Sequence, residues 1–340
     1  MDRRAFLACG LTAVACTPLI FARETMGEVV RLDPRLDQLI GADAVIEKIA
    51  GGFDWAEGPV WQGTEYRLLF SDIPKNMIWQ WSAKGGLKPF LKPSGYTGTE
   101  KRGGESGSNG LTLTSEIKEK LILCQHGDRR IARLNDDGKT FTTLADRYDG
   151  KRFNSPNDLT YHWNSGDLYF TDPPYGLEKG ADDPKREMNY CGVFRLSKDG
   201  KVTLLTKDLT RPNGIAFSYD QKTLYVANSD PKQAIWMAYT MKADGTLGEG
   251  KVFFDVTKDV GKMKGLPDGM KVDIKGNLFA TGPGGVWVFT PKAEVLGRID
   301  PGCATANCAW GESGGTLFLT ADKSLCRIQT KTIGAGHESL

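Results

Sequence analysis

Polar and apolar positions along this chain recur in a unit of about fifty residues. Each unit opens on a carboxyl or carboxamide residue, mostly followed by Gly, and then runs into a short apolar strand pattern. The openings are Glu57-Gly58, Asn109-Gly110, Asn157-Asp158, Asn213-Gly214, Asp268-Gly269 and Asn307-Cys308, spaced 39 to 56 residues apart. That spacing suits a four-stranded propeller blade. A second run, rich in β-branched, aromatic and leucine residues and bounded by turn formers, follows each marker at 66–72, 120–126, 167–172, 223–228, 277–282 and 316–321, as strands require. A third run follows each time, as at 77–81 and 285–289, and alternates enough to place one face against a neighbour.

A fourth run is present in five units, at 89–91, 141–144, 202–205, 252–254 and 295–299, whereas the sixth unit ends without one. The strand-like segment 44–50 lies ahead of the first marker. It is predicted to supply the missing outer strand of blade six, because propellers protect their edges by radial repetition. The pattern therefore predicts an all-β fold, a six-bladed β-propeller with four-stranded blades over 44–330, with a linker at 26–43 and a tail at 331–340. No stretch sustains a helical period, and the 41 glycines, many in Asp-Gly and Asn-Gly turns, suit an all-β chain. A body of this length exceeds the roughly 250–300 residues at which one hydrophobic core stops growing. Blades that pack only on their neighbours escape that limit.

Residues 1–25 read as an export leader. Arg3-Arg4 precede an apolar run that ends near Ala22, as in twin-arginine signals, and the run is too short to span a bilayer comfortably. A bacterial periplasmic location is the expectation, with lipid attachment at Cys16 as a rival that lacks the usual upstream Leu. Beyond the leader five cysteines remain, Cys124, Cys191, Cys303, Cys308 and Cys326. Their odd number and irregular spacing argue against a disulfide framework or a zinc site, although Cys303 and Cys308 could pair in an oxidising compartment. Formal net charge is +2 with both signs intermixed, which predicts no nucleic-acid partner and no strong membrane patch. A small molecule is the expected partner.

In a propeller the innermost strand of each blade lines the central channel. Glu57, Asn109, Asn157, Asn213, Asp268 and Asn307 begin those strands, so they are expected to meet at one mouth. Two carboxylates and four amides would then offer only oxygen donors, in a place where buried charge is costly unless a cation compensates. Ca²⁺ fits, since it accepts six to eight oxygens and tolerates neutral amides. Mg²⁺, Mn²⁺ or Zn²⁺ are alternatives, zinc the poorest, because His126, His162 and His337 show no ligand spacing. The competing explanation is that Asn-Gly and Asp-Gly are merely turn dipeptides with local Asx contacts. Six oxygen-bearing side chains in register favour the cation.

The long irregular segments 93–108, 175–191 and 257–267 are expected to overhang this mouth and to select substrate, as long loops in compact domains often do. The same strand directions place His126 and Tyr175 at the rim. His126 could bind substrate hydroxyls or move a proton; the alternative is a surface histidine beside Asp128 and Arg129. His162 and Asn154 are expected to be structural.

Six motifs carry a resemblance. Ala56-Glu-Gly-Pro-Val-Trp61, Ser108-Asn-Gly-Leu111, Arg152-Phe-Asn-Ser-Pro-Asn-Asp158, Tyr169-Phe-Thr-Asp-Pro-Pro-Tyr-Gly176, Arg211-Pro-Asn-Gly214 and Pro267-Asp-Gly-Met270, in this order, resemble the gluconolactonase and regucalcin family of six-bladed propellers over about residues 45 to 330. The resemblance implies a divalent metal, commonly Ca²⁺, held by Glu57, Asn213 and Asp268, with Asn157 on the ion or on substrate beside it. It also implies that Asp268 is the acid/base. In one departure, regucalcin-like members have an Arg two residues before the position of Asn157, where this chain has Ser155. The expected activity is hydrolysis of a sugar lactone, with Asn109, Asn157, His126 and Tyr175 on the substrate. The single Gly-x-Ser-x-Gly string, at 311–315, leads into a strand run rather than a helical one, which speaks against a serine esterase elbow. Two alternatives stand beside it: hydrolysis of a phosphotriester or fluorophosphate on the same residues, and a metal-stabilised binding propeller without catalysis.

Overall fold

A computed structural model of the chain describes residues 24–114 and 118–337. The expected leader, including Cys16, lies almost wholly outside the described residues. Six antiparallel sheets form six blades, in which chain order runs from the channel outward, and a separate two-stranded hairpin pairs Arg147–Tyr148 with Lys151–Arg152. The inner strands are Ala56–Gln62, Ser108–Leu113, Leu159–Tyr161, Pro212–Phe217, Met270–Val272 and Thr305–Gly311. All five fourth strands appear where the pattern predicts them, the one in blade four extended to Leu247–Asp255.

Ring closure is also as predicted. Glu47–Gly51 pairs antiparallel with Ser324–Gln329, so a strand from the N-terminal side completes blade six. Six hydrophobic clusters occupy the six junctions between blades. Trp61, Leu68, Phe70, Phe318 and Leu325 join blades six and one, Leu69, Ile78, Leu111 and Leu123 join one and two, and the remaining four junctions repeat the arrangement. Trp61 stacks on Phe318 with ring centroids 5.7 Å apart. The core is thus divided into slabs, none of which has to grow with chain length.

Segment 26–43, expected as a linker, is instead part of the body. Glu28–Arg31 adds a fifth strand to blade five. A 3₁₀ turn, Pro34–Gln38, capped by the Asp33 side chain on the Arg35 N–H, then lowers Leu36, Leu39 and Ile40 into the cluster between blades five and six. A four-residue strand and a single short turn show too little periodicity to be read, yet burying three such side chains contributes roughly 1.5–3 kcal/mol each. Part of the 331–340 tail is docked as well. Gly334 bridges Asp273, and Ala335 N–H donates to the Val272 carbonyl, so this segment covers the channel mouth opposite the markers.

Two sets of hydrogen bonds position the marker end. In the second strand of each of four blades a hydroxyl donates to a carbonyl of the next blade's inner strand or the segment entering it: Ser71 to Asn109, Thr171 to Asn213, Ser229 to Pro267 and Thr281 to Ala306. In three of these blades the residue beside that hydroxyl is an acceptor that caps the chain entering the same blade. Asp72 takes the Asp54 and Trp55 N–H groups, Asp172 those of Asn154 and Ser155, and Asn228 that of Arg211. Asp172 is fully buried, and burial pushes its carboxyl up to about 7 despite those two donors.

Candidate functional site

A cavity of about 360 Å³ opens at the marker end of the channel. Glu57, Asn109, Asn157, Asn213 and Asp268 line it, together with Tyr175, Glu105, Arg211 and Ser229, and with Trp55, Ile73 and Leu266 as apolar wall. The glycines after the markers allow this convergence. A Cβ on Gly58 would fall on the Asn109 carbonyl, and one on Gly214 on that of Asp268. Adjacent inner strands can therefore approach at the axis only where no side chain intervenes.

Glu57 is 2 % exposed and Asn157 1 %, whereas Asp268 is partly accessible from the cavity although its Oδ1 is buried. The Oδ1 atoms of Asn109, Asn157 and Asp268 are buried without any hydrogen-bond donor. Buried polar atoms are rarely left unpaired, so three acceptors in one cavity define a place suited to a cation. Asn213 is turned the same way by its surroundings. Its Nδ2 donates to Ser229 Oγ at 2.9 Å, and Ser229 itself donates to the Pro267 carbonyl. With its only proton committed, the hydroxyl must accept from Asn213, which leaves Oδ1 of Asn213 for the cavity.

The electrostatics agree. Burial, then repulsion from Asp158, pushes the Glu57 carboxyl up to about 8, against hydrogen bonds from the Gly58 N–H and Asn307 Nδ2. Burial, then the charge of Glu57, holds Asp268 well above the ordinary carboxylate range. Carboxylates raised by burial and by a neighbouring charge in a desolvated cavity are relieved by a dication beside them. Among the described residues no trio of His, Cys, Asp or Glu forms a ligand cluster. An ion here would rest on amide as well as carboxylate oxygens, which suits a hard cation and disfavours zinc.

Two expectations need correction. Asn307 belongs to the ring by sequence but turns its amide nitrogen inward, 3.2 Å from Glu57 Oε2 and 3.5 Å from Asp158 Oδ2, while its Oδ1 accepts from Cys308 N–H. It bridges two carboxylates and offers the cavity no oxygen. His126 is not a rim residue: it is fully buried behind Asn157 and outside the cavity lining. Cys303 and Cys308, whose pairing the sequence leaves open, are both free thiols. Arg152 donates to the Asp128 carbonyl, away from the cavity, and Ser155 is committed to Pro173 and Gly176. Neither supplies the Arg that regucalcin-like members have before the position of Asn157. As expected, Asn154 shapes the turn, through the carbonyls of Asp172 and Tyr190, and His162 packs on Phe217.

Glu105 and Arg211 were not foreseen. Glu105 comes from the irregular 93–108 segment, where no period fixes which side chain faces inward. Arg211 lay inside a quoted motif, two residues before Asn213, but nothing in the pattern gave it a direction.

Comparison with known proteins places this arrangement. Residues 55–323 match the family model described as the SMP-30/Gluconolactonase/LRE-like region. The chain is 42% identical to a gluconolactonase of Zymomonas mobilis over 317 residues, covering 91% of this chain and 88% of that protein. A lactonohydrolase of Aspergillus oryzae is 29% identical, over 80% of this chain and 67% of its own length. Among solved structures, a gluconolactonase from Xanthomonas campestris superposes with a TM-score of 0.77 at 28% identity, over 92% of this chain and 99% of that one. The match spans all six blades and all five cavity-lining markers, and the chain belongs to the SMP-30/gluconolactonase/LRE-like family.

Proposed function

We propose that the protein is a divalent-cation-dependent lactonase that opens a sugar-type lactone. The observation that carries this reading is the trio of buried, unpartnered oxygens of Asn109, Asn157 and Asp268 beside the Glu57 carboxyl. The gluconolactonases among its relatives support the substrate class.

Glu57, Asn157, Asn213 and Asp268 would hold the ion, Ca²⁺ first among candidates. When bound, it would polarise the lactone carbonyl, offset the negative charge that develops on its oxygen and keep both carboxylates ionised. Asp268, the carboxyl accessible from the cavity, takes a proton from the attacking water as its oxygen bonds to the carbonyl carbon. The ring C–O bond then breaks, and Asp268 returns the proton to the departing alkoxide, giving the open hydroxy acid. Tyr175 and Asn109 face the substrate hydroxyls, and Trp55, Ile73 and Leu266 limit water beside the reacting bond. Export through the twin-arginine route is part of the proposal and is tested by periplasmic fractionation of an Arg3→Lys, Arg4→Lys variant.

The activity test pits aldonolactones against a phosphotriester, before and after removal of divalent ions. Lactone turnover that vanishes on stripping, returns with Ca²⁺ and falls about 10³-fold or more in Asp268→Asn supports the reading, since a positioned acid/base alone contributes roughly 10²–10⁴. Full lactone turnover by the stripped protein refutes it. Phosphotriester turnover without lactone turnover would move the same residues to the alternative reaction.

A further inference from the structure

The imidazole of His126 sits behind the cavity, and its neighbours define a different task from substrate binding. It is fully buried, packed so closely that a Cβ on Gly176 would lie 2.6 Å from its own Cβ. Its Nε2 is 3.5 Å from Asn157 Nδ2, and its Nδ1 is 3.3 Å from Glu105 Oε2. The second contact is within ion-pair distance but is not aligned as a hydrogen bond, so Nδ1 faces that carboxylate without another partner.

A neutral imidazole donates at one nitrogen and accepts at the other. The Asn157 Nδ2 group only donates, so the nitrogen facing it has to accept. That puts the ring proton on Nδ1, toward Glu105, and leaves Asn157 Oδ1 as the unpartnered atom on the cavity side. Glu105 is itself well placed to act on the ring. Its loop is pinned by Asn76 Oδ1, which accepts the Gly95 and Tyr96 N–H groups at 2.7 and 3.1 Å, and by Arg102, which donates to the Gly127 and Gly176 carbonyls.

We propose that Glu105, acting through His126, fixes the orientation of the Asn157 carboxamide, so that a loop overhanging the mouth presets one oxygen of the cavity. His126 and Glu105 are positioning residues in this arrangement. Without the acceptor behind it, the Asn157 amide is free to present its NH₂ to the cavity, exchanging an oxygen ligand for a donor that a cation repels. The affinity part of the inference rests on the cation reading above; the orientation part does not.

Two measurements test it. Long-range ¹H–¹⁵N correlation spectra of the metal-free, ¹⁵N-labelled protein report the His126 tautomer, its signals identified by their loss in His126→Phe. The expected form carries the proton on Nδ1 and shifts toward the other tautomer in Glu105→Gln. A proton on Nε2 in the unaltered protein, or a tautomer indifferent to Glu105→Gln, overturns the proposal. Calorimetric Ca²⁺ titration of Glu105→Gln, His126→Phe and the double variant then reads the coupling. Each single change is expected to weaken binding about 10–100-fold, with the double variant no weaker than the worse single one; losses that multiply show two independent effects and overturn the relay. Should the unaltered protein bind no Ca²⁺, the cation reading falls and the tautomer decides the relay alone. Glu105→Gln lies on a partly exposed loop, so the spectrum remains available even if His126→Phe fails to fold, the His126 signals then being those that persist in His162→Phe and His337→Gln.

Discussion

Removing the proposed cation should make the fold sensitive to pH in a window set by Glu57 and Asp268. Glu57 is raised from 4.5 to about 8, chiefly by burial and then by the charge of Asp158, and Asp268 is raised by burial and Glu57. A carboxyl whose folded value lies above its unfolded one keeps its proton in the native state after the unfolded chain has released it. Its contribution to stability is fully present below the unfolded value and disappears as pH rises through the folded one. For Glu57 alone that window runs from 4.5 to about 8, and the contribution lost across it is on the order of 4–5 kcal/mol. Since domains are stable by only about 5–15 kcal/mol, and 1 kcal/mol moves Tm by roughly 2–4 °C in proteins of 150–250 residues, the stripped protein should lose on the order of 10 °C between pH 5 and 8.

Asp172, raised to about 7 by burial outside the cavity, adds a slope of the same sign whether or not an ion is bound. The informative quantity is therefore the difference in Tm between Ca²⁺-loaded and stripped protein, measured by differential scanning fluorimetry in chelator-free buffers. An ion needs both carboxylates ionised, so protons compete with it. The difference should be small at pH 5 and grow steadily toward pH 8. Asp268→Asn combined with Glu57→Gln should flatten it, because neither amide titrates. A difference independent of pH, or one that survives this double change, would falsify the assignment of the cation to these carboxyls.

Two further changes test how the cavity is built. Ser229→Ala removes the hydroxyl that accepts from Asn213 Nδ2 and ties blade four to Pro267. It should cost about 1 kcal/mol in urea denaturation and weaken Ca²⁺ binding about tenfold or more by calorimetry; unchanged affinity would show that Asn213 needs no such support. Gly214→Ala places a methyl against the Asp268 carbonyl and the Gly269 Cα. Overpacking of this kind costs about 1–3 kcal/mol, and because the obstructing atoms are backbone, Asp268 must move with them. Lactone turnover should fall more than stability does, and a stable, fully active variant would contradict the close approach of blades four and five.

Much of the fold is written in two periods, a strand alternation of two and a blade period near fifty, and both survive because every blade meets the same steric problem at the axis. The Gly in Glu57-Gly58 and Asn213-Gly214 could be read as turn chemistry or as channel geometry from one occurrence; recurrence decided for the channel, and the carbonyls of Asn109 and Asp268 lying where a Cβ would go give the reason. Ser71, Thr171, Ser229 and Thr281 recur just as regularly, yet a hydroxyl near the end of a strand fits many local roles, so its link to the next blade shows only in three dimensions. Residue type predicted which atoms could reach the cavity but not which would. Asn307 carries both an oxygen and an NH₂ group, and the buried carboxylates of Glu57 and Asp158 selected the NH₂.

The same selection explains why the place of His126 behind Asn157, and the inward turn of Glu105, are not legible in one dimension. Propeller repeats specify the six inner strands, whereas the loops above them differ in length from blade to blade, and a side chain reaching down from such a loop has no periodic partner to announce it. Glu105 faces a ring that faces an amide that faces the cavity, and each step depends on donor and acceptor roles that only the neighbouring atom assigns. Once Glu57 and Asp158 have claimed the Asn307 NH₂ group, Asn157 and Asn213 are the amides on the cavity wall whose nitrogens are occupied from behind, by His126 and Ser229. Their oxygens are thereby left facing inward from blades three and four into the cavity that Asp268 also lines, which is the placement a ligand shell needs if one carboxylate is to remain accessible for proton transfer.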